Sequence, residues 1–298
     1  MPVRKAVIAA AGFGTRFLPQ TKALPKEMLP LVDKPIIQYI VEELVDAGIE
    51  DIVIVTGYHK RSIEDHFDNI SGDLRTNLEQ GNKHDLLKDI QKISNLANFA
   101  YIRQKGRYGS ATPVLNAEHL IGNEPFIYTY ADDFIVASPS RFKQMVDLYQ
   151  KTGNSVLTCI EVIKDVDYKR YGIVAGNEIE PGILNMSTIV EKPGKENAPS
   201  NLASVSGYLF TPDIFQHIHN EAKEYNGDSE FYIQPAMQRL IKSCKQILAY
   251  KVKGGRYYDT GNKLEYLKTV VDFALKHDDI KADFAEYLKQ LVSGNTLH

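Results

Sequence analysis

The stretch of sequence that decides the fold is residues 9–19, which read Ala9-Ala10-Ala11-Gly12-Phe13-Gly14-Thr15-Arg16-Phe17-Leu18-Pro19. An apolar run that starts at residue 6 stops here, so the stretch predicts the loop that leaves the first buried strand of an α/β domain. Gly12 and Gly14 let backbone N–H groups approach an anion closely, because no Cβ is in the way. Arg16 and, ten residues later, Lys26 add two positive charges. The stretch therefore predicts a triphosphate-binding loop.

Two common phosphate-binding motifs do not fit this loop. A dinucleotide fingerprint, G-x-G-x-x-G, needs glycine where Phe17 stands, followed by a helix. Pro19, Thr21 and Pro25 instead predict an irregular segment. A Walker A string, G-x-x-x-x-G-K-[ST], does not occur in the sequence. An NAD-dependent oxidoreductase is therefore a disfavoured alternative.

The next residues narrow the family. They read Pro25-Lys26-Glu27-Met28-Leu29-Pro30. Together with the glycine loop they resemble the sugar nucleotidyltransferases, whose signature is G-x-G-T-R followed by P-K, and the run through Ile37 is most similar to the uridylyltransferase branch. The resemblance extends over about residues 5–288. It implies transfer of a uridylyl group from UTP to glucose 1-phosphate by Mg²⁺-dependent in-line displacement, which gives UDP-glucose and pyrophosphate.

The order of predicted elements indicates an α/β fold. Strands at residues 7–10, 51–56, 99–102 and 126–130 alternate with helical patterns, one of which runs from Ile36 to a stop at Gly48. After about residue 150 the pattern becomes more mixed, with strands predicted at 155–163, 172–175, 183–190 and 202–210 and helices at 231–241, 263–275 and 280–291. We expect a Rossmann-like, mixed and mostly parallel central sheet flanked by helices. Residues 1–298 would form one domain, with a nucleotide-binding half (about 1–150) and a sugar-phosphate-binding half (about 151–298) that ends in helices.

Composition is that of a soluble globular chain. The 298 residues are 43% hydrophobic and 24% charged, and the net charge of −3 argues against a nucleic-acid partner. Cys159 and Cys244 lie in apolar runs and are expected in the core. The sequence contains neither a signal-peptide pattern nor an apolar run of membrane-spanning length, so we expect a cytoplasmic protein without a membrane partner. By resemblance, a homodimer or homotetramer is expected.

Paired carboxylates indicate a metal site. Asp132 and Asp133 directly follow the fourth predicted strand, at the end where open α/β sheets bind ligands. Adjacent carboxylates there favour Mg²⁺ bound together with phosphate oxygens. By resemblance, Asp132 binds the metal and Asp133 lies at the sugar. Asp259, in a segment similar to the family's Asp-x-Gly-x-Lys-Leu, is either a second metal ligand or a helix N-cap.

Nucleotide contacts are predicted around the first loop and after the third strand. Gln104 carries an amide that can read a base edge, and Thr112 with Pro113 predicts the start of a helix behind it. Residues 109–113 depart from the Gly-Leu-Gly-His-Ala pattern of uridylyltransferases, so a thymidylyl- or adenylyltransferase remains open. By resemblance, the nucleotide-binding residues are Ala10, Ala11, Gly12, Gly14, Thr15, Glu27, Gln104 and Gly109.

The second half carries a sugar-phosphate motif, Glu191-Lys192-Pro193. By resemblance, Gly172 and Glu191 hold the sugar and Lys192 its phosphate, while Arg16 holds the leaving pyrophosphate and Lys26 lies near the α-phosphate. The attacking phosphate oxygen is already anionic, so no general base is needed. Residues 230–236 depart from the family's Glu-Ile-Gln-Leu-Thr-Asp-Ala, which leaves the choice of sugar open. A regulator that binds nucleotide sugars without turnover is the alternative from another class.

Overall fold

The computed structural model describes residues 1–162, 164–227 and 230–294. Its strands are β1 Lys5–Ala10, β2 Pro30–Leu31, β3 Lys34–Pro35, β4 Asp51–Thr56, β5 Asn98–Arg103, β6 Phe126–Tyr130, β7 Asp133–Val136, β8 Ser155–Glu161, β9 Gly172–Glu180, β10 Ile183–Glu191, β11 Leu202–Phe210, β12 Ile247–Lys251 and β13 Arg256–Asp259. Its helices are α1 Ile36–Asp46, α2 Arg61–Phe67, α3 Gly72–Gln80, α4 His84–Ser94, α5 Ala111–Ile121, α6 Arg141–Thr152, α7 Asp213–Glu224, α8 Gln234–Lys242, α9 Lys263–Ala274 and α10 Lys281–Val292.

A mixed sheet of nine strands forms the centre of the molecule, in the order β5-β4-β1-β6-β11-β8-β12-β10-β9. The first four of these strands are mutually parallel, whereas β11 runs antiparallel to both β6 and β8. Strand β12 is parallel to β8, and β10 is antiparallel to β12 and β9. The expected mixed α/β sheet is confirmed, with the parallel pairing concentrated in the first half.

Helices cover both faces of this sheet. Side chains of β1 alternate between the faces, so that Ile8 joins one core and Val7 the other. Helices α1, α6 and α9 pack on the face of Ile8, and α5, α7 and α8 on the face of Val7. Burial on both faces explains why β1 is an almost continuous apolar run rather than an alternating one.

The two halves share this sheet and one of its cores. Strand β11, from the second half, is hydrogen-bonded to β6, which belongs to the first half. The core on the Ile8 face also includes Leu209 and Leu248 from beyond residue 150. This arrangement supports one domain, which stays a prediction.

Some local expectations were wrong at their boundaries. The N-cap of α5 is Ser110, two residues before the predicted cap at Thr112, and the helix begins at Ala111. The Ala111 N–H donates to the Phe231 carbonyl, so it needs no side-chain cap. The strand predicted at 172–175 continues to Glu180, and α8 begins at Gln234 instead of residue 231. Strand β8 ends at Glu161, and Ile163 lies outside the described residues.

Of the two cysteines, only Cys159 lies in the core as expected. Cys244 is exposed, because α8 ends at Lys242 and the chain turns there with a φ of 64° at Cys244. By contrast, α1 ends as predicted: Gly48 takes a φ of 89° just beyond it, a left-handed turn typical of helix C-termini. Among the described helices, none is both long and apolar enough to cross a bilayer.

Candidate active site

A cavity of about 900 Å³ opens at the carboxyl ends of the parallel strands and extends into the second half. Parallel strands bring their carboxyl ends to one edge, so the loops that follow β1, β5 and β6 meet there. Its size is that of a site for small organic ligands. Among the residues predicted for function, its walls contain Ala11, Gly12, Thr15, Arg16, Lys26, Gln104, Gly109, Asp132, Asp133, Gly172, Glu191, Lys192 and Asp259.

Three predicted nucleotide-binding residues do not line the cavity: Ala10, Gly14 and Glu27. Ala10 is the last residue of β1 and is fully buried in the core. Gly14 instead supports the loop: its φ is 65°, and a Cβ there would lie 3.1 Å from Thr21 Cγ2 and 3.2 Å from Lys26 Cβ. Only glycine fits that close approach without strain.

Glu27 is fully buried and forms an ion pair with Lys60, whose Nζ lies 2.5 Å from Glu27 Oε2. Burial raises the pKa of Glu27 and lowers that of Lys60, and each charge opposes the shift of the other. The side chain of Glu27 thus points to the interior next to Lys26, which points to the cavity. We conclude that Glu27 fixes the segment that presents Lys26.

Lys26 and Asp132 form the central ion pair of the cavity. Lys26 Nζ lies 2.5 Å from Asp132 Oδ2, and both side chains are 23% exposed. Burial works to lower the pKa of Lys26, but the carboxylates of Asp132 and Glu27 outweigh it and the pKa is raised. Lys26 therefore carries a fixed positive charge in the cavity.

Asp132 and Asp259 face a common point beside Gly261. A Cβ on Gly261 would lie 3.1 Å from Asp132 Oδ2, 3.2 Å from Asp259 Oδ1 and 3.3 Å from Arg16 Nη1. Arg16 is held there by its bond to the Gly261 carbonyl, at 3.1 Å. Two carboxylates and a cation therefore converge on the same region.

The helix-cap alternative for Asp259 is wrong, because Asn262 caps α9 through its Oδ1, which accepts from Leu264 N at 2.9 Å. Asp259 instead ends β13 and pairs across to Asp133 of β7. Its Oδ1 accepts from Gly261 N at 2.9 Å and its Oδ2 from the Tyr171 hydroxyl at 3.1 Å. Burial raises the pKa of Asp259, and these two bonds oppose that shift. A nearby cation would likewise favour the charged form.

A divalent metal fits this donor set. Among the described residues there is no cluster of three His, Cys, Asp or Glu side chains with metal-binding geometry. These residues alone would therefore give a metal ion an incomplete set of ligands. Asp132 and Asp259 are the two carboxylates that face the common point beside Gly261. Mg²⁺ usually binds one or two carboxylates and completes its shell with substrate phosphates and water.

Glu191, the last residue of β10, lines the cavity from the second half and is held in place by its neighbours. Its Oε2 accepts from Gln234 Nε2 at 2.8 Å, and it would lie 3.0 Å from a Cβ on Gly172. Gly172 therefore leaves room for the carboxylate. Burial raises the pKa of Glu191, and the adjacent Lys192 charge opposes this. Such a carboxylate can accept hydrogen bonds from sugar hydroxyls.

Lys192 points into the cavity from a strained backbone position. Its φ is 47°, its N–H donates to the Tyr171 carbonyl at 3.2 Å, and its Nζ lies 5.3 Å above the ring of Tyr232. The ion pair with Glu191, at 3.4 Å, raises the pKa of Lys192 against the effect of burial. Lys192 is therefore a further fixed cation of the cavity, and it directly follows β10 of the second half.

Several cavity residues were not predicted from the sequence. One of them, Arg170, is a further cation, and eight are aromatic: Phe13, Tyr108, Tyr128, Tyr130, Tyr171, Tyr208, Tyr232 and Tyr257. One signal was available, because Tyr128 and Tyr130 are two apart at the end of a strand and so share a face. Tyr208 reaches the site through antiparallel pairing with Tyr128, which no local pattern reveals.

Comparison with known proteins agrees with this geometry. Residues 5–275 match the model of the family described as "Nucleotidyl transferase". A UTP–glucose-1-phosphate uridylyltransferase of Staphylococcus epidermidis is 44% identical over 97% of this chain and 98% of its own length. A protein of the same name from Staphylococcus saprophyticus, numbered 1, is 45% identical over 98% and 99%.

Solved structures give the same result. A UDP-glucose pyrophosphorylase complexed with UDP-glucose is 42% identical, with a TM-score of 0.82 over 92% of this chain and all of the other. A UTP-bound UGPase of Acinetobacter baumannii is 34% identical, with a TM-score of 0.86 over 97% and 99%.

Proposed function

Because this chain belongs to the nucleotidyl transferase family, we propose that it transfers a uridylyl group from UTP to glucose 1-phosphate and releases pyrophosphate. The observation that carries the proposal is the convergence of Arg16, Lys26 and Lys192 on one cavity that also contains Asp132 and Asp259. Three cations suit two highly anionic substrates. The names of its close relatives identify which substrates these are.

The reaction joins the phosphate oxygen of glucose 1-phosphate to the α-phosphorus of UTP and breaks the bond from that phosphorus to the β-phosphate oxygen. The attacking oxygen is already anionic, so no proton has to be removed. Alignment of the two phosphates and neutralisation of their charge are what the protein must supply.

The chain's own groups divide this task by position. Lys26 neutralises charge at the α-phosphate, and Arg16, fixed to the Gly261 carbonyl, holds the leaving pyrophosphate. Lys192 holds the attacking phosphate, and Glu191 binds sugar hydroxyls beside it. Asp133, whose Oδ2 accepts from the Tyr257 hydroxyl at 3.0 Å, lies at the sugar end. Gly12, Thr15 and Ala11 line the phosphate path, and Gln104 and Gly109 face the base.

We assign Mg²⁺ as the metal, held by Asp132 and Asp259. When bound, it would supply further positive charge to the phosphate oxygens. Because Lys26 Nζ is bonded to Asp132 Oδ2, Mg²⁺ would share this carboxylate with Lys26. The cytoplasm as location and a homodimer or homotetramer as assembly are also proposed, and cell fractionation and light scattering test them.

The proposed function is tested by measuring pyrophosphate release from UTP and glucose 1-phosphate. We expect turnover with Mg²⁺, loss of turnover with EDTA, and recovery when Mg²⁺ is added back. UDP-glucose should form in amounts equal to the pyrophosphate. Tight binding of UDP-glucose without any pyrophosphate release would instead identify a regulator that lacks turnover.

A further inference from the structure

Two exposed aromatic side chains meet at the edge of the active-site cavity. Phe13 is 62% exposed and Tyr108 is 59% exposed, and both line the cavity. Their ring centroids are 5.1 Å apart at an interplanar angle of 51°, so the two rings are tilted against each other rather than stacked. They come from different loops, one after β1 and the other after β5. We call this pair the aromatic lip.

Both rings of the lip are carried on fixed backbone. Phe13 lies between Gly12 and Gly14, and the Gly14 carbonyl accepts from Thr21 Oγ1 at 2.7 Å. The Tyr108 carbonyl accepts from Phe231 N at 2.8 Å. The start of the second loop is held by Asn116, which bonds both the N–H and the carbonyl of Lys105, at 2.7 and 3.2 Å. The exposed rings of Phe13 and Tyr108 are therefore carried by loops whose backbone is held by hydrogen bonds.

The surroundings of the lip suit a planar heterocycle. Gln104, on the same loop as Tyr108, supplies an amide that can bond a base edge, and Gly109 of that loop also lines the cavity. The cations Arg16 and Lys26 line the same cavity and come after Phe13 in the chain. A Cβ on Gly12, the neighbour of Phe13, would lie 3.6 Å from Lys26 Nζ, so a nucleotide whose phosphates lie at these cations would have its base within reach of the lip.

From these contacts we propose that the aromatic lip, Phe13 and Tyr108, covers one face of the nucleobase of the nucleotide substrate and contributes to its binding by stacking. The proposal rests on the proposed function for the orientation of the nucleotide. Rings stack on any base, so the lip provides affinity, and the amide of Gln104 provides the choice among bases. The sequence analysis did not predict a role for either ring.

The chain contains no tryptophan, which permits a direct test. In Tyr108→Trp the new indole is the sole tryptophan, and we expect UTP and UMP to quench its fluorescence. Tripolyphosphate, which lacks a base, should not. Tyr287→Trp is the control, because Tyr287 is an exposed tyrosine of α10, 43% exposed, that does not line the cavity. Phe13→Trp is the second probe if the Tyr108 variant does not fold.

Kinetics separate stacking from a structural role. Tyr108→Ala should raise KM for UTP about tenfold, as expected for the loss of ring–base stacking, and leave KM for glucose 1-phosphate unchanged. Tyr108→Phe, which retains the ring, should raise KM for UTP much less than Tyr108→Ala does. An equal rise of both KM values would contradict the proposal.

The proposal is overturned if neither tryptophan responds to UTP in protein that still releases pyrophosphate, or if tripolyphosphate quenches as strongly as UTP. Failure of the proposed function would give a different result. Wild-type protein would then release no pyrophosphate, but quenching of the tryptophan variants by UTP and UMP would still support base stacking on the lip.

Discussion

Single charged side chains carry most of the proposed chemistry, and Lys26 and Arg16 are the clearest cases. Each is oriented by a specific partner, Asp132 for Lys26 and the Gly261 carbonyl for Arg16. Removing one preorganised charge or donor from such a site costs on the order of 10²–10³ in turnover.

We therefore expect Lys26→Ala and Arg16→Ala each to lower kcat by about that factor, measured by pyrophosphate release. Lys22→Ala is the matched control, because Lys22 is an exposed lysine near both residues in the chain that does not line the cavity. Near-normal turnover of both site variants would contradict the assigned roles.

A second residue-scale prediction concerns Glu43 on α1, which pairs with the fully buried Arg141 of α6; Arg141 Nε lies 3.1 Å from Glu43 Oε1. Burial raises the pKa of Glu43 from 4.5 to about 7, although the Arg141 charge opposes the shift. Between pH 4.5 and about 7, the Glu43 carboxyl loses its proton in the unfolded chain but keeps it in the folded protein. The contribution of Glu43 to stability therefore falls as pH rises through this window.

Denaturant unfolding of wild type and Glu43→Gln between pH 4 and 8 measures this effect, since glutamine does not titrate. The wild type should lose stability relative to the variant by on the order of 3 kcal/mol across the window. A difference that does not change with pH would show that Glu43 keeps an ordinary pKa.

At the scale of elements, the loop before α5 is joined directly to the segment before α8. The Phe231 N–H donates to the Tyr108 carbonyl at 2.8 Å, and the Ala111 N–H donates to the Phe231 carbonyl at 2.9 Å. Ser110 Oγ accepts from Ile233 N at 3.0 Å. The loop that we propose binds the base is thus fixed to the half that we propose binds the sugar phosphate, next to Tyr232 and Lys192.

Gly109 makes this junction possible. A Cβ there would lie 2.3 Å from the Phe231 carbonyl oxygen, so Gly109→Ala must push the two segments apart. We propose that the loop at Gly109 binds UTP and that the segment at Phe231 borders the glucose 1-phosphate site. We therefore expect the substitution to raise KM about tenfold for both substrates. Gly106→Ala is the control: Gly106 also has a positive φ, of 99°, but its Cβ would meet only Thr112 Cγ2, at 4.0 Å. Equal effects of the two substitutions would contradict this role.

The same segments determine how much of the fold and of the site can be predicted from the sequence. Residues 9–37 were enough to indicate the family and to predict a phosphate-binding loop, because the residues of that motif lie in one short segment. Residues 109–113 and 230–236 both depart from the family pattern, and the structure shows that they contact each other. Their contact joins positions more than a hundred residues apart, so neither segment alone indicates it. Glu27 was assigned to the nucleotide for its motif, but its side chain points to Lys60.

At the scale of the whole molecule, the sheet passes without interruption from one half to the other through β6 and β11. We expect one cooperative unfolding transition rather than two, because separating the halves would break that pairing and expose the shared core. Circular dichroism and the fluorescence of a tryptophan placed at Tyr287 should give the same denaturant midpoint. Two separated midpoints would instead indicate two folding units.

The central claim is that the cavity joins UTP to glucose 1-phosphate, and a grid of UTP, dTTP, ATP and CTP against several sugar 1-phosphates tests it most directly. With Mg²⁺ present, pyrophosphate release should give the highest kcat/KM for UTP with glucose 1-phosphate. A higher kcat/KM for another nucleotide or another sugar, or no release with any pair, would contradict the account.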